Sequence, residues 1–324
     1  MNIPSGVLSH ISLSAYSRLG VGGVARFFVI VKTTKQLARV MDWWITQDHL
    51  LSRVHFIGEG TNTFFADGFF NGLIVVVRIG GIVDCGDGHL LVGAGVSMRR
   101  VVLYALRRRY GGLAWARGLP GSVGGAVRGN AGAFGGQMEN CVSRVESISF
   151  SPTSFVASWR SKRSCRFGYR ASAFKEQHKK RLLVITRVLF SLTPNASIAQ
   201  EITYARACRA YRLKHHPMRY PTLGSTFKNV PLSAVSSTVR ARFTHCIKKD
   251  PFPLIPVAAL LDAAGLKGAR VNGVMLSSQH PNFLIRTRAA TARDVTRLIA
   301  YARRVIQKKF SITLEEEIEY VARR

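Results

Sequence analysis

Two stretches of this chain carry the residue types that hold phosphate. The longer, GLPGSVGGAVRGNAGAFGG from Gly118 to Gly136, has eight glycines among nineteen residues, with Pro120, Ser122 and Asn130 between them. The shorter lies within FIGEGTNTFF, where Gly58, Gly60, Thr61 and Asn62 follow a strand-like apolar segment directly. Glycine admits positive φ and close backbone approach. Successive amides in such a turn form a concavity for phosphate oxygens, which hydroxyl and amide side chains complete. The shorter loop by itself reads as a tight turn, and linker, phosphate turn and packed loop are all open for the longer one. Two such loops about sixty residues apart suit a dinucleotide, whose pyrophosphate and ring both need holding. No G-K-[ST] is present and Gly58-Glu59-Gly60 lacks a third glycine in Rossmann spacing, so a cofactor fold of another kind is expected.

Strands and helices must aim these loops. Periodicity predicts a strand at ARFFVIV, a helix at TKQLARVMDWWITQ with Leu37, Val40, Met41 and Trp44 on one face and Thr33 or Thr34 as its cap, and strands at RVHFIG and GLIVVVRI. A turn at VDCGDGH, a strand at LLVGAG and a helix from Ser97 to Tyr110 lead into the long loop. Strand-like VESISF, SFVASW and LLVITRVLFSL follow, then a helix carrying Ile198, Ile202, Ala205 and Cys208. The last part has a helix at PVAALLDAAG, a strand at NFLIRT, the helix TARDVTRLIAYARRVIQKKF and an edge segment TLEEEIEYV. Three units emerge, with joints near residues 78 and 210.

The chain has 324 residues, 47% hydrophobic and 20% charged, which suits folded domains rather than disorder. No run of eighteen apolar residues is present and the start lacks the features of a secretory signal, so no membrane insertion and a cytoplasmic location are expected. Five cysteines, odd in number and never in C-x-x-C, suggest reduced buried thiols and no thiolate metal site. The formal charge of +30 raises the question of a polyanion partner. The basic residues are spread over 99 to 109, 159 to 166, 179 to 181, 206 to 216 and 303 to 309, with no basic tail or nucleic-acid motif. Specific nucleic-acid binding is therefore not expected, and anionic small molecules fit the charge equally well.

The long loop with its flank, GLAWARGLPGSVGGAVRGNAGAFGG, resembles the signature of UDP-N-acetylenolpyruvoylglucosamine reductases. Further blocks recur in that family's order: GVGGVARFF, FIGEGTNTFFAD, FGYRASAF, PTLGSTFKN, then AGLKGARVNGVMLSSQHPNFLI followed by LEEEIEY. The resemblance runs from about residue 13 to 321, and the lack of an extra insert after Leu192 suits the family's shorter, second type. It implies an α+β protein. The FAD-binding fold of the vanillyl-alcohol oxidase (PCMH) type would occupy two subdomains, 1–78 and 79–209, with a third, α/β substrate-binding domain at 210–324. It also implies an enzyme that uses NADPH and FAD to reduce UDP-N-acetylglucosamine enolpyruvate to UDP-N-acetylmuramate for the cell wall. A related reading keeps the fold and makes the chain an oxidase or dehydrogenase of another alcohol or sugar. A monomer is expected.

By this resemblance Gly58, Gly60, Thr61, Asn62, Gly118, Pro120, Gly121, Ser122, Gly124, Gly125, Asn130 and Gly132 face FAD. Arg170 supplies the fixed cation for an enolpyruvyl carboxylate, Ser225 donates the proton, and Glu317 is the third active-site group. Tyr169, Arg212, Lys214, Lys228, Asn229 and His280 with Asn282 would line the substrate side. Local sequence alone leaves Arg170 one more surface arginine, Ser225 a turn serine and Glu317 inseparable from Glu315, since alternation along a strand puts both on one face. The chain departs from the family at His215, where lysine is usual, at Arg128, usually apolar or aromatic, and at Gly20. Residues 232–256 also lengthen a usually short link, as a surface loop, a lid or an oligomer contact.

Overall fold

A computed structural model describes residues 3–47, 50–176 and 181–322. Lys179 and Lys180 of the basic run at 179 to 181 lie outside the described residues. The first sheet runs Leu8–Ser12, Val24–Val31, Phe69–Val77, Val54–Ile57, antiparallel at the first pair and parallel at the other two. Leu73 to Val77 are buried without a break, as expected of a parallel strand covered on both faces. One cover is the helix Thr34–Thr46, which buries Leu37, Val40, Met41, Trp43 and Trp44; the Thr33 hydroxyl caps it by accepting from Gln36 N. The other is a smaller cluster of Leu13, Phe28, Phe65, Phe70 and Ile74, to which Val321 from the chain end contributes.

The second sheet is antiparallel throughout, in the order Phe155–Ser161, Val142–Phe150, Leu182–Ser191, His89–Gly93, Ile82–Gly86. The segment expected as a turn at VDCGDGH is therefore half strand. Its reversal is confined to Gly86, Asp87 and Gly88, all at positive φ. The helix expected from Ser97 to Tyr110 spans Met98–Arg107 and closes early, because Arg109 enters the left-handed region at φ 59° and Tyr110 N bonds back to Ala105 O. One hydrophobic core, from Val29 to Leu192, joins the first two sheets.

The glycine-rich stretch is not all loop. Ser122 caps a short helix, Val123–Arg128, and a small hairpin pairs Gly132–Ala133 with Gly136–Gln137.

The third sheet is antiparallel, in the order Thr222–Ser225, Phe283–Arg286, Val274–Leu276, Arg270–Val271. The helix Ala292–Phe310 covers it and opens with a capping box between Thr291 and Asp294. Its core also takes Leu19, Val21 and Phe64 from the first unit. Only Glu319–Val321 of the expected edge segment is regular strand, and it pairs parallel with Thr63–Phe65 of the first unit.

The lengthened link is a packed arm. Val230–Pro231 and Leu254–Ile255 close its base as a two-stranded ribbon, the helix Ser237–Arg242 lies within it, and Phe243 is buried edge-on against Phe310. Phe243→Ala should therefore cost about 3–5 kcal/mol of folding stability. A urea unfolding midpoint no lower than that of the wild type would show that the arm is not docked.

Candidate active site

The two glycine loops pack against each other. A Cβ on Gly58 would strike the Ser122 hydroxyl, and one on Gly121 would meet Thr61 Oγ1 at 2.8 Å. Gly60, Gly118 and Gly121 all hold positive φ. In the long loop the first helical amides already have acceptors: Val123 N bonds Val96 O and Gly124 N bonds Ala94 O, while Gly125 N bonds the Ser122 hydroxyl. The short loop differs. The amides of Glu59, Gly60, Thr61 and Asn62 donate to no protein acceptor among the described residues, although their neighbours are buried or half-buried. Four consecutive free amides at a glycine turn, closed over by a second loop with Pro120 and Gly125 exposed at its edge, form an anion cradle.

Two of the expected cofactor residues use their side chains elsewhere. Asn130, buried and at φ 41°, donates to Gly168 O and accepts from Glu139 N, which pins the stretch to its surroundings. The Asn62 amide nitrogen donates 3.1 Å to Glu317 O, and Asn62 O accepts from Glu319 N. The short loop is thus tied directly to the acidic segment at the chain end.

That segment brings together residues far apart in sequence. Glu317 N donates to Thr226 O, the residue after Ser225, and a lone antiparallel bridge joins Phe227 to Glu316. The Glu317 carboxylate accepts from Arg170 Nε at 2.7 Å. Arg170 sits at φ 55° and its Nη2 donates to Gly132 O at 3.0 Å, while Nη1 makes no protein hydrogen bond among the described residues. The three glutamates separate by partner: Glu315 is exposed against Lys228, Glu316 pairs with Arg303, and Glu317 pairs with Arg170.

Ser225 is half-buried at a strand end beside Gly224 (φ 84°), and its hydroxyl has no protein partner among the described residues. The Tyr169 hydroxyl accepts from Asn229 N at 3.1 Å, and burial pushes its proton affinity up. Phe252 of the packed arm stands edge-on to Tyr169 at 5.5 Å, so the arm reaches the site. The Asn229 side chain accepts from Val257 N at the start of a helix.

The remaining expected residues lie around a second group. Arg212 is buried with Nη2 on Trp115 O and its guanidinium 4.9 Å from the Phe134 ring; burial lowers its proton affinity. Lys214 is exposed and presents its carbonyl to Gln279. His215, standing where lysine is usual, stacks on Tyr211 at 4.0 Å. His280 packs on Phe283 and His216, and burial pulls both imidazoles down to about 4. Asn282 is committed to Phe227, donating to its carbonyl and accepting from its amide.

Sequence reasoning passed over Lys175 and Glu319, and noted Arg128 only as an oddity. Arg128 pairs with Glu319, and Lys175 Nζ lies 3.9 Å from the same carboxylate and 3.3 Å from Arg170 O. No local pattern announces this group, because its members are brought together only by the chain end crossing the fold.

Comparison with known proteins places this geometry. A family model described as an FAD binding domain matches residues 25–150, and another, the C-terminal domain of UDP-N-acetylenolpyruvoylglucosamine reductase, matches residues 216–321. The fold is that of a flavoprotein, with the FAD-binding fold of the vanillyl-alcohol oxidase type. The chain is 32% identical over 320 residues to the UDP-N-acetylenolpyruvoylglucosamine reductase of Carboxydothermus hydrogenoformans, covering 98% of this chain and 94% of that one. It is 29% identical over 311 residues to the reductase of Thermotoga petrophila, covering 95% and 96%. The crystal structure of the Thermus caldophilus enzyme superposes with a TM-score of 0.72 at 28% identity, over 97% of this chain and 98% of that chain. The protein belongs to the UDP-N-acetylenolpyruvoylglucosamine reductase family.

Gly121→Ala places a methyl group against Thr61 at φ 105°, which should cost about 1–2 kcal/mol and release flavin. Retention of bound flavin through gel filtration by that variant would contradict the cradle. The two histidines generate a pH dependence. Their ordinary value is 6.5 and their folded value about 4, so between these the unfolded chain binds more protons and stability falls as pH falls. The melting temperature should drop across that window, and less steeply in His216→Phe and His280→Phe; identical slopes in all three proteins would exclude these groups as the cause.

Proposed function

We propose that this chain reduces UDP-N-acetylglucosamine enolpyruvate to UDP-N-acetylmuramate with NADPH as the reductant; the relatives it is similar to are named as reductases of UDP-N-acetylenolpyruvoylglucosamine. The observation that carries this reading is the Arg170–Glu317 pair, joined through Asn62 to the cradle loop and through Thr226 to the strand bearing Ser225. When bound, FAD would take a hydride from NADPH and pass it to the enolpyruvyl double bond. The cradle fits that group: glycines where a Cβ would collide, free amides for a pyrophosphate and, among the described residues, no carboxylate side chain engaged with either loop's amides.

The chain's own residues then have separate tasks. Arg170 is anchored at Nε and Nη2, which leaves Nη1 to meet the substrate carboxylate, where negative charge grows as hydride arrives. Glu317 keeps that guanidinium oriented and, as the third active-site group, would polarise the substrate carboxylate or share its proton. Ser225, with an uncommitted hydroxyl, supplies the proton to the adjoining carbon; a serine is a weak acid, so Arg170 and bound water must ease the transfer. Tyr169, Lys228 and Asn229 would line the substrate's diphosphate side, with Phe252 narrowing the entrance beside Tyr169. Arg212, Lys214 and His280 would face the uridine end.

The units would be 1–78 and 79–209 for flavin and 210–324 for substrate, in the family's shorter form. The reaction would serve peptidoglycan synthesis in the cytoplasm; among the described residues no helix is long and apolar enough to cross a membrane.

Anaerobic half-reactions test this assignment. Ser225→Ala should leave flavin reduction by NADPH within about twofold of wild type and slow reoxidation by the enolpyruvyl substrate by roughly a hundredfold or more. Equal losses in the two half-reactions would remove Ser225 from the role of proton donor.

A further inference from the structure

Beside the Arg170–Glu317 pair lies a second set of charges that the proposed reaction leaves without a task. Glu319 accepts from Arg128 and lies 3.9 Å from Lys175 Nζ. The three side chains are no more than 26% exposed. Burial lowers the proton affinity of Lys175, with Glu319 partly opposing. Burial alone would raise that of Glu319, but Arg128, with His55 and Lys175, outweighs it and the carboxyl is held below its ordinary value. The group is therefore two cations around one carboxylate.

Each member is attached to something the site uses. Arg128 ends the short helix that Ser122 caps, and its carbonyl accepts from Ser172 Oγ at 2.7 Å. Glu319 is two residues beyond Glu317 on the strand that pairs with Thr63–Phe65. Lys175 donates to the carbonyl of Arg170, whose left-handed backbone requires its surroundings to hold it. A largely buried three-charge group is a poor source of stability, because desolvation offsets much of the attraction. What such a group does well is fix relative position.

We infer that Arg128, Glu319 and Lys175 are positioning residues for the reducing site. Arg128 and Glu319 register the Glu317 segment against the glycine-rich helix, and Lys175 ties that register to the backbone of Arg170, so that Arg170 and Glu317 reach the cradle together. The inference rests on the proposed reaction for its kinetic consequence but not for its structural one.

The test uses full-length, flavin-loaded protein as wild type, Arg128→Met, Glu319→Gln, their double variant, Lys175→Gln and the exchange Arg128→Glu with Glu319→Arg. Flavin reduction by NADPH should stay within about twofold. Reoxidation at saturating enolpyruvyl substrate should fall roughly ten- to a hundredfold in each single variant, with the double no worse than the poorer single and the exchange partly restored. A second arm measures amide hydrogen exchange without flavin at Glu319 and Ala66, whose N–H groups bond Asn62 O and Val321 O. Exchange there should quicken in the single variants.

Additive losses, or equal losses in both half-reactions, would overturn the positioning role. So would faster exchange with reoxidation unchanged, the signature of a staple for stability alone. If the wild-type flavin were not reoxidised by this substrate, the reaction assignment would fail instead. The bridge would then stand or fall by exchange: quickened amides support it and unchanged amides reject it.

Discussion

The arrangement depends on one backbone crossing at Glu317. Its N–H belongs to the third unit, bonded to Thr226 O, and its carbonyl belongs to the first, bonded to the Asn62 side chain. One residue before it, Glu316 bridges Phe227; two residues after it, Glu319 enters the parallel pairing with Thr63. Buried backbone donors and acceptors must all be matched, so a segment held in two ladders at once has no freedom to slide. A slip by one residue would offer Arg170 either Glu316 or Ile318, and Ile318 is buried in the third unit's core. The register of the chain end is thus fixed by hydrogen bonds on both sides and by an apolar anchor in the middle. The Arg170–Glu317 contact follows from that register.

The same crossing couples the first and third units, which also share a core through Leu19, Val21 and Phe64. Asp67 in the first unit accepts from the amides of Ala292 and Arg293, capping the long helix of the third. The caps, the Asn62 bonds and the Glu319 bridge all join the short glycine loop's neighbourhood to the third unit. The short glycine loop is thereby fixed against the third unit.

Much of this was legible in sequence and some was not, for a consistent reason. Local patterns with local causes came through: the Thr33 cap, the apolar face of Thr34–Thr46, and the strands Val24–Val31 and Leu182–Ser191. The glycine-rich stretch gave no sign of its helix, because Val123–Arg128 is supported by acceptors at Val96 and Ala94, outside the stretch. Ile82–Gly86 looked like a turn because an edge strand with mostly exposed residues lacks clear alternation. Asn62 and Asn130 both lie in the glycine loops, and both side chains bond to protein groups. Their partners, Glu317 and Gly168, are 255 and 38 residues away, beyond any local rule. Glu315 and Glu317 could be told apart only once Lys228 and Arg170 had been placed.

The net charge of +30 fits the same picture when acids rather than bases are followed. With only seventeen Asp and Glu in the chain, Glu317 and Glu319 both pair with cations at the junction of units, and Asp67 caps a helix across it. Exposed arginines elsewhere act through water and salt, which screen them beyond roughly 8–10 Å at physiological ionic strength. Their joint effect is to draw an anionic substrate toward the surface. Orientation within the site is then a short-range matter, decided by which guanidinium nitrogens are already taken. At Arg170 two are engaged by Glu317 and Gly132, so the third is presented in a fixed direction. Around Arg170 the neighbouring cations, Arg128 and Lys175, are likewise tied down by Glu319, one of the chain's few acids.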